Sequence, residues 1–301
     1  MIGVDVGGTK ILAGIVDAKG NVARRREWET SLDSQETLLA QLDAVVDEFL
    51  DDSVAAVGFG LPSRIDPRSG HVDASVNIPL ADVPLRDRMA DRFRRPIAVE
   101  NDGNAAALAE FLVGAGRDAE TIVMLTLGTG VGGGVVIDRK LLRDGGELGH
   151  TVIEFDGLPC HGACTGRGHL EAYVSGTAAT NLARAAFGPA ADAHRLVRLA
   201  AEGDRTAVEI LDGIGRRLGA GIGSFINIFR PDVVVVGGGF AAAGSFLLRP
   251  AEATMRREAL PPARERVRLV RAELRTAAGV IGAGLGALGA IGVLEGIQAL
   301  D

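Results

Sequence analysis

Apolar and polar residues alternate at the start of the chain. Ile2, Val4 and Val6 flank Gly3 and Asp5, the period-two pattern of a strand with a buried face. A Gly7-Gly8-Thr9 turn follows, then a second strand over residues 11–17. A turn at Ala18-Lys19-Gly20-Asn21 leads to a third strand over residues 22–29, completing an antiparallel meander. Helical spacing then covers residues 38–50. An apolar run over residues 54–61 predicts a buried strand that stops at Pro62, and residues 64–79 read as loop. A short helix over 84–93, a strand over 97–100 and an Ala-rich helix over 103–113 complete the first half. The meander then recurs, with strands over 122–127 and 132–137 around Gly128-Thr129-Gly130 and a turn at Asp138-Arg139-Lys140. Gly7, Gly8 and Asp17 match Gly128, Thr129 and Asp138 at one constant offset, so the pattern predicts two facing α/β halves from a duplication. The boundary falls within 114–119, giving domains over 1–116 and 117–301. Helices over 175–187, 191–202 and 207–229 precede a strand over 232–236 that ends in the bare loop Gly237-Gly238-Gly239. A helix over 246–258, a strand over 267–272 and a Gly/Ala helix over 277–294 close the chain.

That last segment carries no charge and is long enough to test as a membrane span. Gly and Ala outnumber its Leu, Ile and Val, so transfer into lipid is weakly driven, and it reads as a buried helix whose small residues allow close packing. It is expected to pack back on the N-terminal domain. The chain opens directly on a strand, which predicts no secretory signal, no preceding DNA-binding helix-turn-helix and a cytoplasmic location. Composition adds little beyond a globular class: 301 residues, 47% hydrophobic and 24% charged. A net charge of −7 argues against a general nucleic-acid surface. Two cysteines form no disulfide framework. The arginine runs at 24–26 and 92–95 read as solvated faces, with a polyanionic phosphate donor as the sharper alternative.

Chemistry concentrates in the Gly-rich stretch 147–171. It holds both cysteines, Cys160 and Cys164, three of the five histidines, His150, His161 and His169, and two acids, Glu147 and Glu171. Soft ligands gathered this way read as a tetrahedral zinc site formed by His150, Cys160, Cys164 and His169, with His161 as substitute and a Cys160–Cys164 disulfide as the alternative. A closed four-ligand site would be structural, ordering a loop that joins His150 to Glu171. Its loss is expected to weaken binding at His150 and Glu171 more than binding elsewhere. Gly7-Gly8-Thr9-Lys10, Gly128-Thr129-Gly130 and Gly237-Gly238-Gly239 all sit at strand ends, where backbone N–H groups can approach phosphates. No GxxxxGK[ST] loop is present, and the GxGxxG match at Gly128, Gly130 and Gly133 precedes a strand, not the helix that fingerprint needs. Asp5, beside the first loop, reads as Mg²⁺-linked or as a turn cap. Asp102, between a strand and a helix, reads as a general base for a hydroxyl acceptor or as an N-cap. Asn101 beside it could orient a sugar hydroxyl. Glu147, His150 and Glu171 form a polar set suited to a polyol.

These motifs together resemble the ROK family (repressor, open reading frame, kinase) of bacterial sugar kinases, above all its glucokinases, over essentially the whole length. Asp5-x-Gly7-Gly8-Thr9-Lys10 and residues 127–134 resemble the family's two phosphate motifs. Glu100-Asn101-Asp102-Gly103-Asn104 resembles its catalytic segment, Gly146-Glu147-Leu148-Gly149-His150 its sugar and zinc segment, and Val236-Gly237-Gly238-Gly239 its adenosine-side loop. The resemblance implies the α/β actin-like ATPase (ribonuclease H-like) fold, a duplicated two-domain fold with an interdomain cleft. It implies ATP and a hexose as substrates, Mg²⁺, structural Zn²⁺, and Asp102 as base, with Asn77, Asn101, Glu147, His150 and Glu171 on the sugar. Glucose is the expected hexose, with N-acetylmannosamine, N-acetylglucosamine and fructose as alternatives. A sugar-sensing regulator is a rival of another class. A homodimer is expected because symmetric pairs are the commonest assembly. Three departures stand out. The family's zinc loop is usually CxCGxxGCxE, whereas here Gly162 holds the first Cys position, Cys160 lies two residues earlier and His169 takes the third. Ser63 stands where Gly commonly follows Leu-Pro. Ile78-Pro79-Leu80 replaces an apolar-Pro-aromatic run.

Overall fold

The computed structural model describes residues 1–143, 145–162 and 164–292. The first sheet is built from β1 (Ile2–Val6), β2 (Lys10–Val16), β3 (Val22–Glu29), β4 (Val57–Leu61) and β8 (Ile97–Asn101), in the order β3-β2-β1-β4-β8. β1 and β2 pair antiparallel, and β4 and β8 then add in parallel. Helix α1 (Gln35–Phe49) starts at Ser34, whose side chain accepts from the Thr37 N–H, and buries Leu38, Leu42, Val45, Val46 and Phe49. Residues 64–79, expected as loop, instead contribute to a small three-stranded sheet of β5 (Ser63–Asp66), β6 (His71–Ser75) and β7 (Ala81–Val83). Few apolar positions mark it, because Val72 is the only fully buried side chain of β5 and β6 besides Ser63. Helices α2 (Leu85–Phe93) and α3 (Asp102–Val113) flank β8 in sequence.

The second five-stranded sheet repeats the order, β11-β10-β9-β12-β13, with β9 (Ile122–Leu127), β10 (Val131–Ile137), β11 (Lys140–Leu141), β12 (Val233–Gly237) and β13 (Arg268–Arg271). The duplication read from the glycine turns is thus a duplication of topology. β12 pairs in parallel with both β9 and β13 and is buried at every position, which explains its unbroken Val run. Helices α4 (Glu171–Val174), α5 (Gly176–Phe187), α6 (Ala193–Ala201), α7 (Arg205–Phe229), α8 (Ser245–Glu258) and α9 (Ala263–Arg266) belong to the same half. Two compact units result, and the division is not a single cut in the sequence. Residues 1–118, 134–146 and 274–301 form one, and residues 119–133 and 147–273 the other.

The last helix, α10 (Ala278–Ala290), packs in the first unit on β1, β4 and α3. Its Gly/Ala composition has a steric cause. A Cβ at Gly58 of β4 would lie 1.8 Å from the Ala283 carbonyl oxygen, and one at Gly282 would lie 1.8 Å from the Ala105 carbonyl oxygen. Backbone meets backbone, and no side chain fits between. Residues 293 and 294 of the predicted helix lie outside the described residues. No helix among the described residues is long and apolar enough to cross a membrane.

Candidate active site

In the first unit, β1, β4 and β8 run parallel, so their carboxyl ends share one edge, the usual place for ligands in an α/β sheet. Gly7-Gly8-Thr9-Lys10 leaves β1 there, and Asn101-Asp102 stands where β8 becomes α3. The turn is fixed by its backbone: the Gly7 N–H donates to the Lys10 carbonyl at 2.8 Å, and the Thr30 hydroxyl donates to the Gly7 carbonyl at 2.7 Å. Lys10 Nζ pairs with Glu27 at 2.7 Å on an exposed surface. Asn77 lies over the turn, its Nδ2 2.7 Å from where a Cβ of Gly8 would stand.

The N-cap of α3 is Asn101, not Asp102. The Asn101 Oδ1 accepts from the Gly103 N–H at 2.9 Å and the Asn104 N–H at 3.2 Å, and its Nδ2 donates to the Ser63 carbonyl at 3.3 Å. The cap reading of Asp102 therefore passes to its neighbour, and Asp102, in the first helical turn, accepts from the Gly103 N–H at 2.8 Å. Behind the pair, Glu100 meets Arg143 at 3.2 Å and accepts from Asn104 Nδ2 at 3.0 Å. Asp5 keeps part of its surface open but is densely surrounded. Burial, then the Asp102 carboxylate, push it up to about 7, with Lys10 pulling the other way. Two carboxylates in mutual repulsion suit a divalent cation, whose charge would oppose both causes of that shift.

In the second unit, Gly237 of β12 pairs in register with Thr126 of β9, so the loops 128–130 and 238–239 leave the sheet side by side. Gly237 ends the strand and Gly239 opens a short 3₁₀ turn reaching Ala243, so the expected bare loop is shorter than the sequence suggested. Gly128, Thr129 and Gly239 line a cavity of about 580 Å³, together with Thr177, Arg184, His194 and Phe240. The last four were not singled out in the sequence. The signal available was Ser175-Gly176-Thr177, a Ser cap opening a helix, since the Ser175 side chain accepts from the Ala178 N–H. The new helix ties down the loop: the Gly176 N–H donates to the Gly128 carbonyl at 2.7 Å and the Thr177 hydroxyl to the Thr129 carbonyl at 2.8 Å. Apolar floor, hydroxyls and a glycine edge make a recess suited to a nucleoside with its phosphates at the loop. A larger cavity of about 1010 Å³ opens in the same unit beside Leu158, Tyr173 and Arg217, and contains none of the phosphate or sugar residues named above, though Glu154, Cys160 and His161 line it. The arginine runs are largely paired with α1 and the residues after it, Arg26 with Glu48 at 2.8 Å, Arg92 with Asp47 at 2.6 Å and Arg24 with Asp51 at 3.9 Å.

The stretch 147–171 folds back on itself through bridges Val152–His169 and Pro159–Arg167. This draws together His150, Cys160, Cys164 and His169, whose ligand atoms all lie within 4.8 Å of one another, and His161 is not in that group. The cysteines are free thiols. His150 Nδ1 stands 3.2 Å from His169 Nδ1 and 3.5 Å from Cys160 Sγ, and Cys164 Sγ stands 3.6 Å from His169 Nδ1. A tetrahedral ion with bonds of about 2.0 Å to nitrogen and about 2.3 Å to sulfur needs edges of roughly 3.3 Å for N···N and 3.5 Å for N···S. Those three edges fit zinc, and the Gly166 N–H, 3.4 Å from Cys164 Sγ, would steady a thiolate. Among the protein groups alone, burial and a hydrogen bond with Cys164 push the Cys160 thiol up to about 11, a shift that a bound cation would oppose. Glu147 is exposed, whereas Glu171 opens α4 and is engaged on both oxygens: Oε2 accepts from the Val131 N–H at 2.8 Å and Oε1 from Cys160 Sγ at 3.7 Å.

The sequence pattern of the ROK family matches residues 1–288. A glucokinase of Thermotoga maritima is 38% identical over 83% of this chain and 85% of its own. The solved structure of a ROK family glucokinase from Streptomyces griseus, in complex with glucose and AMPPNP, superposes with a TM-score of 0.83 at 33% identity, covering 96% of this chain and 99% of that one. A ROK family transcriptional regulator, homologous to the E. coli MLC protein, superposes at 0.87 with 28% identity, covering 96% of this chain and 78% of that one. Fold, duplicated topology and full-length sequence match agree: the chain belongs to the ROK family.

Proposed function

We propose that the chain is an ATP-dependent sugar kinase that phosphorylates glucose at its 6-hydroxyl. The observation that carries this reading is full-length similarity to a glucokinase solved with glucose and AMPPNP, in a chain that places Asp102 at the carboxyl edge of its first sheet. Asp102 would take the proton of the 6-hydroxyl while that oxygen attacks the γ-phosphorus and ADP leaves. Asn77, Asn101 and Asp102 of the first unit, with Glu147, His150 and Glu171 of the second, are the proposed sugar ligands. The loops at Gly7-Gly8-Thr9-Lys10 and Gly128-Thr129-Gly130 would receive phosphate oxygens, and Gly237-Gly238-Gly239 would border the nucleoside. Mg²⁺ near Asp5 would supply charge neutralisation on the phosphates. His150, Cys160, Cys164 and His169 would hold a structural zinc. A cytoplasmic location and a symmetric dimer belong to the same reading.

A coupled assay of the purified protein with ATP or polyphosphate against glucose, fructose, mannose, N-acetylmannosamine and N-acetylglucosamine tests it. Glucose with ATP should give the highest kcat/KM. A preference for another hexose would move the substrate, and sugar binding without turnover on any pair would favour the regulator.

A further inference from the structure

The Cys/His cluster and the glycine loop after β9 meet at one residue, Val131. Val131 closes that loop. Its N–H donates to Glu171 Oε2 at 2.8 Å. Its carbonyl lies so close to Gly149 that a Cβ there would stand 2.1 Å from the oxygen. Gly149 immediately precedes His150, and Glu171 follows His169 by two residues, so both grips on Val131 lie within two residues of a histidine of the cluster. The loop and the carboxylate interlock as well: a Cβ at Gly130 would lie 2.2 Å from Glu171 Oε2, so Glu171 fills space that any larger residue would need. The loop therefore has two anchors, the start of α5 on the carbonyls of Gly128 and Thr129, and the cluster on Val131.

We infer that the Cys/His cluster clamps the phosphate-binding loop, and that Glu171 is the positioning residue that connects them. This rests on the proposed reading of that loop as the place of the nucleotide phosphates. Backbone N–H groups recognise an anion well only if they are already aimed at it, since ordering them at the moment of binding subtracts from affinity. A metal in the cluster converts its ligation energy into local order of residues 147–171, which keeps Glu171 on Val131. A metal whose effect stopped at the sugar side of the stretch, as the sequence suggested, would leave nucleotide affinity alone. This arrangement predicts that it does not.

The test measures the affinity of a non-hydrolysable ATP analogue by calorimetry, without sugar, on the full chain. Wild type, Glu171→Ala and Glu171→Gln are each compared zinc-loaded, chelator-stripped and zinc-restored, with metal content measured in parallel. Stripping should weaken analogue binding to wild type about tenfold, the scale of one charge-assisted hydrogen bond, and zinc should restore it. Glu171→Ala should weaken it about as much and abolish most of the response to stripping, because the two changes act through one link. Glu171→Gln keeps an acceptor for the Val131 N–H and should keep most of the affinity. Unchanged analogue affinity in stripped wild type, a chain that takes up no metal, or a Glu171→Ala effect confined to sugar binding would each overturn the inference. If stripping unfolds the chain by circular dichroism, Glu171→Ala, which leaves all four cluster residues in place, decides by the same criterion. No analogue binding to the zinc-loaded wild type would instead refute the nucleotide reading.

Discussion

Replacing Asp102 by Asn separates its chemistry from its structural surroundings. The amide oxygen of Asn can still accept from the Gly103 N–H, the bond that Asp102 Oδ1 makes at 2.8 Å. The cap of α3 is untouched, because Asn101 supplies it. Basicity is what disappears, and loss of a general base costs ~10²–10⁴ in rate, or about 3–5 kcal/mol in the barrier. The swap also removes a charge from beside Asp5, whose titration up to about 7 is due first to burial and then to Asp102. A carboxyl with a folded value above its ordinary 3.8 holds a proton that the unfolded chain releases, so folding stability falls as pH rises from about 4 through 7 and the penalty is constant above that. Without the Asp102 charge, Asp5 titrates lower and this decline becomes shallower. Asp102→Asn should therefore bind glucose, turn over at least a hundredfold more slowly, and lose less stability than wild type between pH 5 and pH 7. Steady-state kinetics, glucose titration and urea unfolding at the two pH values measure the three effects. Near-normal turnover would refute the base, and an equal loss of glucose affinity would make Asp102 a binding residue in the main.

Gly58→Ala and Gly282→Ala each force a Cβ onto a backbone carbonyl oxygen 1.8 Å away, where neither side can rotate aside. Each should cost at least the ~1–3 kcal/mol of core overpacking and lower Tm by on the order of 5–10 °C, whereas Gly213→Ala in α7, with only the end of Arg217 at 3.7 Å, should leave Tm unchanged or raise it. Metal analysis should find about one zinc per chain, and His169→Ala should reduce that content, because His169 Nδ1 neighbours both His150 and Cys164. Zinc that remains stoichiometric in His169→Ala would remove it from the ligand set.

Most of the strands and helices were legible because burial imposes their periodicity. β1 announces itself by alternation and β9 and β12 by apolar runs, and the repeated Gly turns reveal the duplication before any topology is known. The small sheet of β5, β6 and β7 was not legible, since few of its side chains are buried and it reads as polar loop. The site divides the same way. Local chemistry marks Asp102 and the glycine turns, and ligand clustering marks the stretch 147–171. Thr177, Arg184 and His194 enter their cavity only through the packing of α5 and the approach to α6, which no local pattern encodes. The cap of α3 depended on a single rotamer, Asn101 turning inward onto Gly103 and Asn104.

Fold alone does not choose between kinase and regulator. The regulator superposes on this chain at least as well as the glucokinase does, so architecture is common property and function must be argued from the site. A sugar sensor needs ligands for the sugar and an element that responds to them. It gains nothing from a carboxylate set against Asp5, whose titration burial raises first and the Asp102 charge raises further. That repulsion is a standing cost in the free protein, and it makes sense where a cation and a proton acceptor must work within reach of one phosphoryl group. The second unit supports the same choice, because a cavity of about 580 Å³ joins a glycine edge to an apolar floor, and a molecule that only sensed sugar would have no use for it. The kinase reading accounts for both features with one reaction.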